Sequence, residues 1–231
     1  MRRVLHLVIG AALAAGLVGV ATAPAGAQTG DLAAFCAARI EGNDAQGKAA
    51  NLAVMNKLVG VAPAAAVSQI TAIRDGYQKQ GDKLFDTPKG LQLLATLDGW
   101  VYDNCPGTKV PVTAIDYQYQ GVPATIKAGV ANFKLTNAAP KEDHMMAVFK
   151  LKPAAAGRDV GDLLALGQKK QDQYFDESGG AFRFAPAGQV GYSPASLTPG
   201  TYMYACFLPV GGKKNGAPHF TEGMYGTFTV S

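Results

Sequence analysis

Pro199-Gly200-Thr201-Tyr202-Met203-Tyr204-Ala205-Cys206, followed after a glycine- and lysine-rich loop by Pro218-His219-Phe220-Thr221-Glu222-Gly223-Met224, is the stretch on which the fold turns. Its first half reads as a turn and an alternating strand that ends on a cysteine. The loop through Gly211, Gly212, Lys213, Lys214 and Gly216 leads to a histidine, and a methionine stands five residues further on, before a closing strand over 226–230.

Working outward, the preceding segments share this strand-and-turn character. Strands are expected over 114–120, 124–127 and 131–136, the last with Phe133 and Leu135 facing one way. After Asn137 a short loop, 138–143, leads to His144, which heads a strand through Met146, Val148 and Lys150. A helical insertion is expected over 157–177, with Val160, Leu163, Leu164 and Leu166 as its apolar side.

Residues 28–107 differ in composition, being rich in alanine, leucine and other helix formers. A first helix is expected over 31–41, and a second from Asp44 as N-cap, with Leu52, Met55 and Val59 on one face. A third carries Val67, Ile70, Ile73 and Tyr77. Thr87-Pro88 caps a fourth, whose buried stripe is Leu93, Leu94, Leu97, Trp100 and Val101. The carboxylates of this half fall on polar faces, and no nucleophile–base pair is visible there.

The chain opens with Arg2 and Arg3, an apolar run over 4–20, and the small-residue signature Ala25-Gly26-Ala27. That pattern predicts a secretory signal peptide over 1–27, and hence an exported protein of the cell envelope, periplasm or extracellular space. No later apolar run is long enough to span a membrane. The formal charge falls from +4 to +2 once Arg2 and Arg3 are gone, and no long basic run exists, so neither nucleic acid nor membrane insertion is indicated.

Export makes disulfides possible, and the chain has three cysteines. Cys36 and Cys105 stand at the two ends of the helical half, so their pairing is the one expected. Pairing either of them with Cys206 would ignore the strand in which Cys206 is set. Of the three histidines, His6 leaves with the signal, which keeps His144 and His219. Two imidazoles, one unpaired thiol and a nearby thioether, Met224, are a donor set that suits both oxidation states of copper.

Taken together, these segments resemble the cupredoxins, in which a Gly-x-Tyr-x-x-x-Cys strand precedes a loop bearing a histidine and then a methionine. The stretch 219–226 is similar to the corresponding loop of the copper nitrite reductases, and Gly129, Phe133, Asn137 and His144 fall in family order. The resemblance covers about 120 residues. With the helical pattern of 28–107, it predicts an α+β protein of two domains: a disulfide-clamped helical bundle, 28–107, followed by the Greek-key β-sandwich with a helical insertion, 108–231, that the resemblance implies. It also implies one type 1 copper ion held by His144, Cys206, His219 and Met224, and electron transfer with a redox protein rather than enzymatic catalysis.

Copper carriage is a lesser reading, and a metal-free secreted interaction module is the alternative. Lys213 and Lys214 form a basic rim that suits an acidic partner. Two departures from the family pattern stand out. Twelve residues separate Cys206 from His219, and Met145 replaces the polar residue that usually follows the first histidine and braces the cysteine.

Overall fold

The computed structural model describes residues 30–231. The signal peptide expected over 1–27 lies outside the described residues. Among the described residues four helices come first: α1 (Leu32–Glu41), α2 (Gly47–Val61), α3 (Ala64–Gln80) and α4 (Pro88–Asn104). Asp31 caps α1 by accepting the Ala34 N–H, and Thr87 caps α4 by accepting the Gly90 N–H with Pro88 at the first helical position. Asp44 is not the N-cap of α2. It ends a 3₁₀ turn, Gly42–Asp44, that continues α1, and α2 starts only at Gly47.

Phe35, Ala38, Leu58, Ile70, Ile73, Leu97 and Val101 form the bundle core, and Cys36 is bonded to Cys105 across it. Closing a loop of 69 residues' separation stabilises the fold by roughly 4 kcal/mol in the chain-entropy account.

Nine strands follow: β1 (Thr108–Ile115), β2 (Gln118–Gln120), β3 (Thr125–Ile126), β4 (Gly129–Asn137), β5 (His144–Leu151), β6 (Phe175–Ala185), β7 (Val190–Leu197), β8 (Gly200–Ala205) and β9 (Tyr225–Val230). They make two sheets, in the orders β2-β1-β4-β7 and β3-β9-β8-β5-β6. The inner faces meet in one core, with Val110, Val112, Phe133 and Leu135 from the first sheet against Val148, Tyr202, Phe228 and Val230 from the second.

Both outer faces are also covered in part. Val160, Leu163 and Leu164 pack over Ala147, Phe149, Met203 and Ala205, so β5 is buried on both sides, which is why His144-Met-Met-Ala-Val-Phe reads as a continuous apolar run rather than an alternation. The bundle covers β7: Tyr102 on α4 packs on Tyr192 with ring centroids 5.4 Å apart, and the Asn43 side chain donates to the Pro194 carbonyl.

At the centre of this seam lies Asp98, fully buried. It takes two bonds from Arg39, at 2.7 and 2.9 Å, and a 3.4 Å ion pair from Arg183 on β6. The expectation that every carboxylate of the helical half sits on a polar face therefore fails at Asp98. Two guanidiniums answer it, one from each half, and burial lowers Arg183 to about 10.

The insertion is shorter than expected. It holds a one-turn helix, α5 (Val160–Leu164), and a four-residue turn, Gln168–Gln171, after which Phe175 already starts β6. Backbone pairing to β5 outweighs the weak helical pattern of 172–177. Where the register shifts between Val148 and Lys150, β6 runs so close that a Cβ at Gly180 would stand 2.2 Å from the Val148 carbonyl oxygen.

Candidate metal centre

The four residues singled out from the sequence come from three places in the second sheet and its loops. His144 is the first residue of β5, Cys206 follows the last residue of β8, and His219 and Met224 flank the short turn before β9. The β5–β8 register, Ala147 opposite Ala205, brings the start of β5 beside the end of β8.

The turn is tied tightly to the cysteine. The Cys206 N–H donates to the Met224 carbonyl at 3.0 Å, its carbonyl accepts from Phe220 N–H at 3.0 Å, and His219 N–H donates to Leu208 O at 2.8 Å. Gly223, at φ 98°, supplies the left-handed residue that ends the turn and lets Met224 N–H reach His219 O at 3.2 Å. The long loop between Cys206 and His219 is folded rather than slack: Pro209 bridges Pro218, and Val210 N–H donates to Ala217 O.

Asn137 orders the other side. Its amide donates to the carbonyls of Glu142 and Ala185, and its oxygen accepts from Ala139 N–H, which fixes the loop delivering His144.

The outcome is a convergence of donor atoms. His144 Nδ1 and His219 Nδ1 are 3.2 Å apart, Cys206 Sγ is 3.3 Å from His219 Nδ1, and all three lie within 4.8 Å of one another. All three residues are buried, as is Met224, which shares a core cluster with Cys206. Two imidazole nitrogens each ~2.0–2.1 Å from one ion, at the tetrahedral angle, would stand ~3.3 Å apart. The observed spacing is that of ligands around a shared ion.

The remaining nitrogens agree, since the Nε2 atoms of both rings are buried without a hydrogen-bond partner. If both rings carry their proton on Nε2, two Nδ1 lone pairs face one another, an arrangement that a cation between them relieves.

The electrostatics keep the donors neutral. Burial, and next the neighbouring His219, lower His144 from 6.5 to about 4. Burial also lowers His219, against the opposing pull of Glu142. Burial raises the Cys206 thiol to about 11, opposed by the nearby polar groups of Met145, Leu208 and Tyr119, which favour the thiolate. The bracing that Met145 cannot give with its side chain is thus given by its backbone, Met145 N–H lying 3.4 Å from Cys206 Sγ.

Three residues about the site went unnoticed in the sequence. Tyr119 on β2 donates to the Met145 carbonyl and is held well above the usual tyrosine range, first by burial and next by Cys206. Tyr117 packs edge-on against His219, centroids 5.0 Å apart. Glu142 places Oε2 3.5 Å from His219 Nε2. A tyrosine in a turn and another two residues on in a strand are ordinary, and Glu142 lies in a loop, so no sequence signal marks them.

With two sheets packed face to face, covered flanks and a donor set at one end, the topology is clear. The C-terminal half has the cupredoxin-like fold. No family model matches the chain, and no relative was found among curated protein sequences. Among solved structures, the chain is similar to auracyanin B, at 19% identity over 55% of this chain and 90% of that one, with a TM-score of 0.35. Auracyanin A, a blue copper protein from Chloroflexus aurantiacus, shows 14% identity over 55% of this chain and all of that one, TM-score 0.35. An azurin from Methylomonas sp. strain J shows 18% identity over 55% and 99%, TM-score 0.34. These likenesses fall on just over half of the chain.

Among the described residues no helix is long and apolar enough to cross a membrane.

Proposed function

We propose that the chain holds one copper ion between His144 Nδ1, Cys206 Sγ, His219 Nδ1 and the Met224 thioether, and that it passes single electrons to a redox protein outside the cytoplasm. The observation that carries this reading is the mutual approach of the three buried donor atoms of His144, Cys206 and His219, at the spacing of ligands around one ion. A thiolate with two imidazoles and a thioether favours copper over harder cations. Bound there, copper would supply one-electron exchange between Cu(II) and Cu(I).

The protein's part is to present the donors already in place. His144 and His219 stay neutral because they are buried, so protons do not compete for their nitrogens at neutral pH. Cys206 gives up its proton on ligation, and the N–H groups of Met145 and Leu208 and the Tyr119 hydroxyl then hold its negative charge. With both mature histidines used as ligands, no imidazole remains for a second metal cluster or for hydrolytic base catalysis, so electron carriage is favoured over an enzyme.

Export rests on the signal-like segment 1–27, and the Cys36–Cys105 bond suits an oxidising compartment. Lys213 and Lys214, both exposed beside the ligand loop, suit an acidic face on the partner.

The test is a visible spectrum of the mature protein, reduced, loaded with one equivalent of copper and oxidised. An intense sulfur-to-copper band that disappears in Cys206→Ser is expected. Retention of the band in that variant would refute the ligand assignment, and no copper uptake would leave the metal-free interaction module.

A further inference from the structure

Glu142 has a place in the site that no reading of the ligands requires. Its backbone carbonyl is fixed by the Asn137 amide at 2.8 Å. Its two carboxylate oxygens both lie within reach of Gly211 N–H, at 3.1 and 3.2 Å, which joins loop 138–143 to the loop between Cys206 and His219. From that fixed position Oε2 stands 3.5 Å from His219 Nε2, a buried atom with no hydrogen-bond partner.

An imidazole that gives Nδ1 to a metal carries its proton on Nε2, and ligating histidines nearly always hand that proton to a carboxylate, a carbonyl or a water. Here the ring is fully buried and packed by Tyr117 and His144. Beside the Pro209 carbonyl, which also lies near this ring, the carboxylate faces the atom of His219 that still needs an acceptor, and a movement of a few tenths of an ångström makes the bond.

Building on the copper reading, we propose that Glu142 is the positioning residue of the centre: it accepts the His219 Nε2–H, holds the ring's tautomer and orientation, and biases the centre towards the oxidised ion. A negative charge behind a ligand imidazole makes that imidazole a stronger donor, and the more highly charged Cu(II) gains more from this than Cu(I). The same carboxylate also closes the ligand loop against loop 138–143, so ligand orientation and loop closure depend on one side chain.

Glu142→Gln separates the two roles, because the amide oxygen still accepts from Gly211 N–H while the charge behind His219 is gone. The variant should melt like wild type without metal, yet bind Cu(II) about 10–100-fold more weakly, the usual effect of losing such a partner. If Cu(I) affinity holds, that loss raises the reduction potential by about 60–120 mV, at ~59 mV per tenfold for one electron.

A second measurement uses wild type alone. In the Cu(I)-loaded protein the His219 Nε2 proton should give a downfield NMR signal protected from exchange with water. Wild type that binds copper, with an unchanged potential in Glu142→Gln or with a rapidly exchanging Nε2 proton, overturns the role of Glu142 and leaves the copper reading standing. Wild type that takes up no copper overturns both.

Discussion

Acid should weaken the metal-free protein through His144, and the size of the effect follows from its burial. In an unfolded chain this imidazole takes up a proton near pH 6.5, whereas burial and the adjacent His219 hold it to about 4 in the fold. Because the folded value is the lower one, the contribution is complete above pH 6.5 and is lost as pH falls towards 4, where only the unfolded chain binds the proton. At about 1.36 kcal/mol per unit, the full loss is roughly 3 kcal/mol, of which about 2 kcal/mol is gone by pH 5. His219 is shifted in the same direction and adds to the slope. Urea titrations of metal-free wild type and His144→Gln at pH 7, 6 and 5, followed by circular dichroism, measure the difference. The variant's stability should fall about 2 kcal/mol less than that of wild type between pH 7 and 5. Equal declines in the two proteins would refute the claim that the ring is kept neutral by its surroundings. With copper bound, the wild-type protein should be more stable but its decline with acid steeper, since the ligated fold has also given up the Cys206 proton that unfolding takes back.

Asp98→Asn leaves two buried guanidiniums without their carboxylate and should destabilise the fold by about 3–5 kcal/mol in urea, and a loss below about 1 kcal/mol would show the triad to be energetically idle. Replacing Cys36 and Cys105 together by alanine should lower stability by roughly 4 kcal/mol at unchanged visible spectrum of the copper-loaded protein, and a lost spectrum would tie the clamp to the site. Tyr119→Phe removes a hydroxyl whose single proton is drawn to the sulfur once Cys206 is a thiolate, so the reduction potential should fall, and an identical redox titration would count against that bond.

The sequence made the ligand half of the site legible because its spacing is local: Cys206, His219 and Met224 lie within nineteen residues along one strand, loop and turn. The α4 cap was legible for the same reason, since Thr87 and Pro88 act on their own helix. What stayed hidden depends on residues distant in the chain. β6 and β7 went unread because Phe175-Asp-Glu-Ser-Gly-Gly lacks alternation, and only its pairing to β5 makes it a strand. Asp98 looked like one more surface carboxylate because its partners, Arg39 and Arg183, are separated from it by most of the helical half on one side and most of the sandwich on the other. Glu142 was hidden in a loop whose shape is set by Asn137 and Gly211.

The seam around Asp98 also bears on how this molecule can be taken apart. Chain composition changes sharply near Cys105, and an experimenter wanting a minimal copper protein would cut there. That cut would strip Asp98 from Arg183, lay bare Tyr192 and Pro194 on β7, and unsettle β6, the strand whose Ala185 pairs with His144. Modularity in the covalent chain is not modularity in the folded one, and the residues between 105 and 108 are a poor place for the scissors.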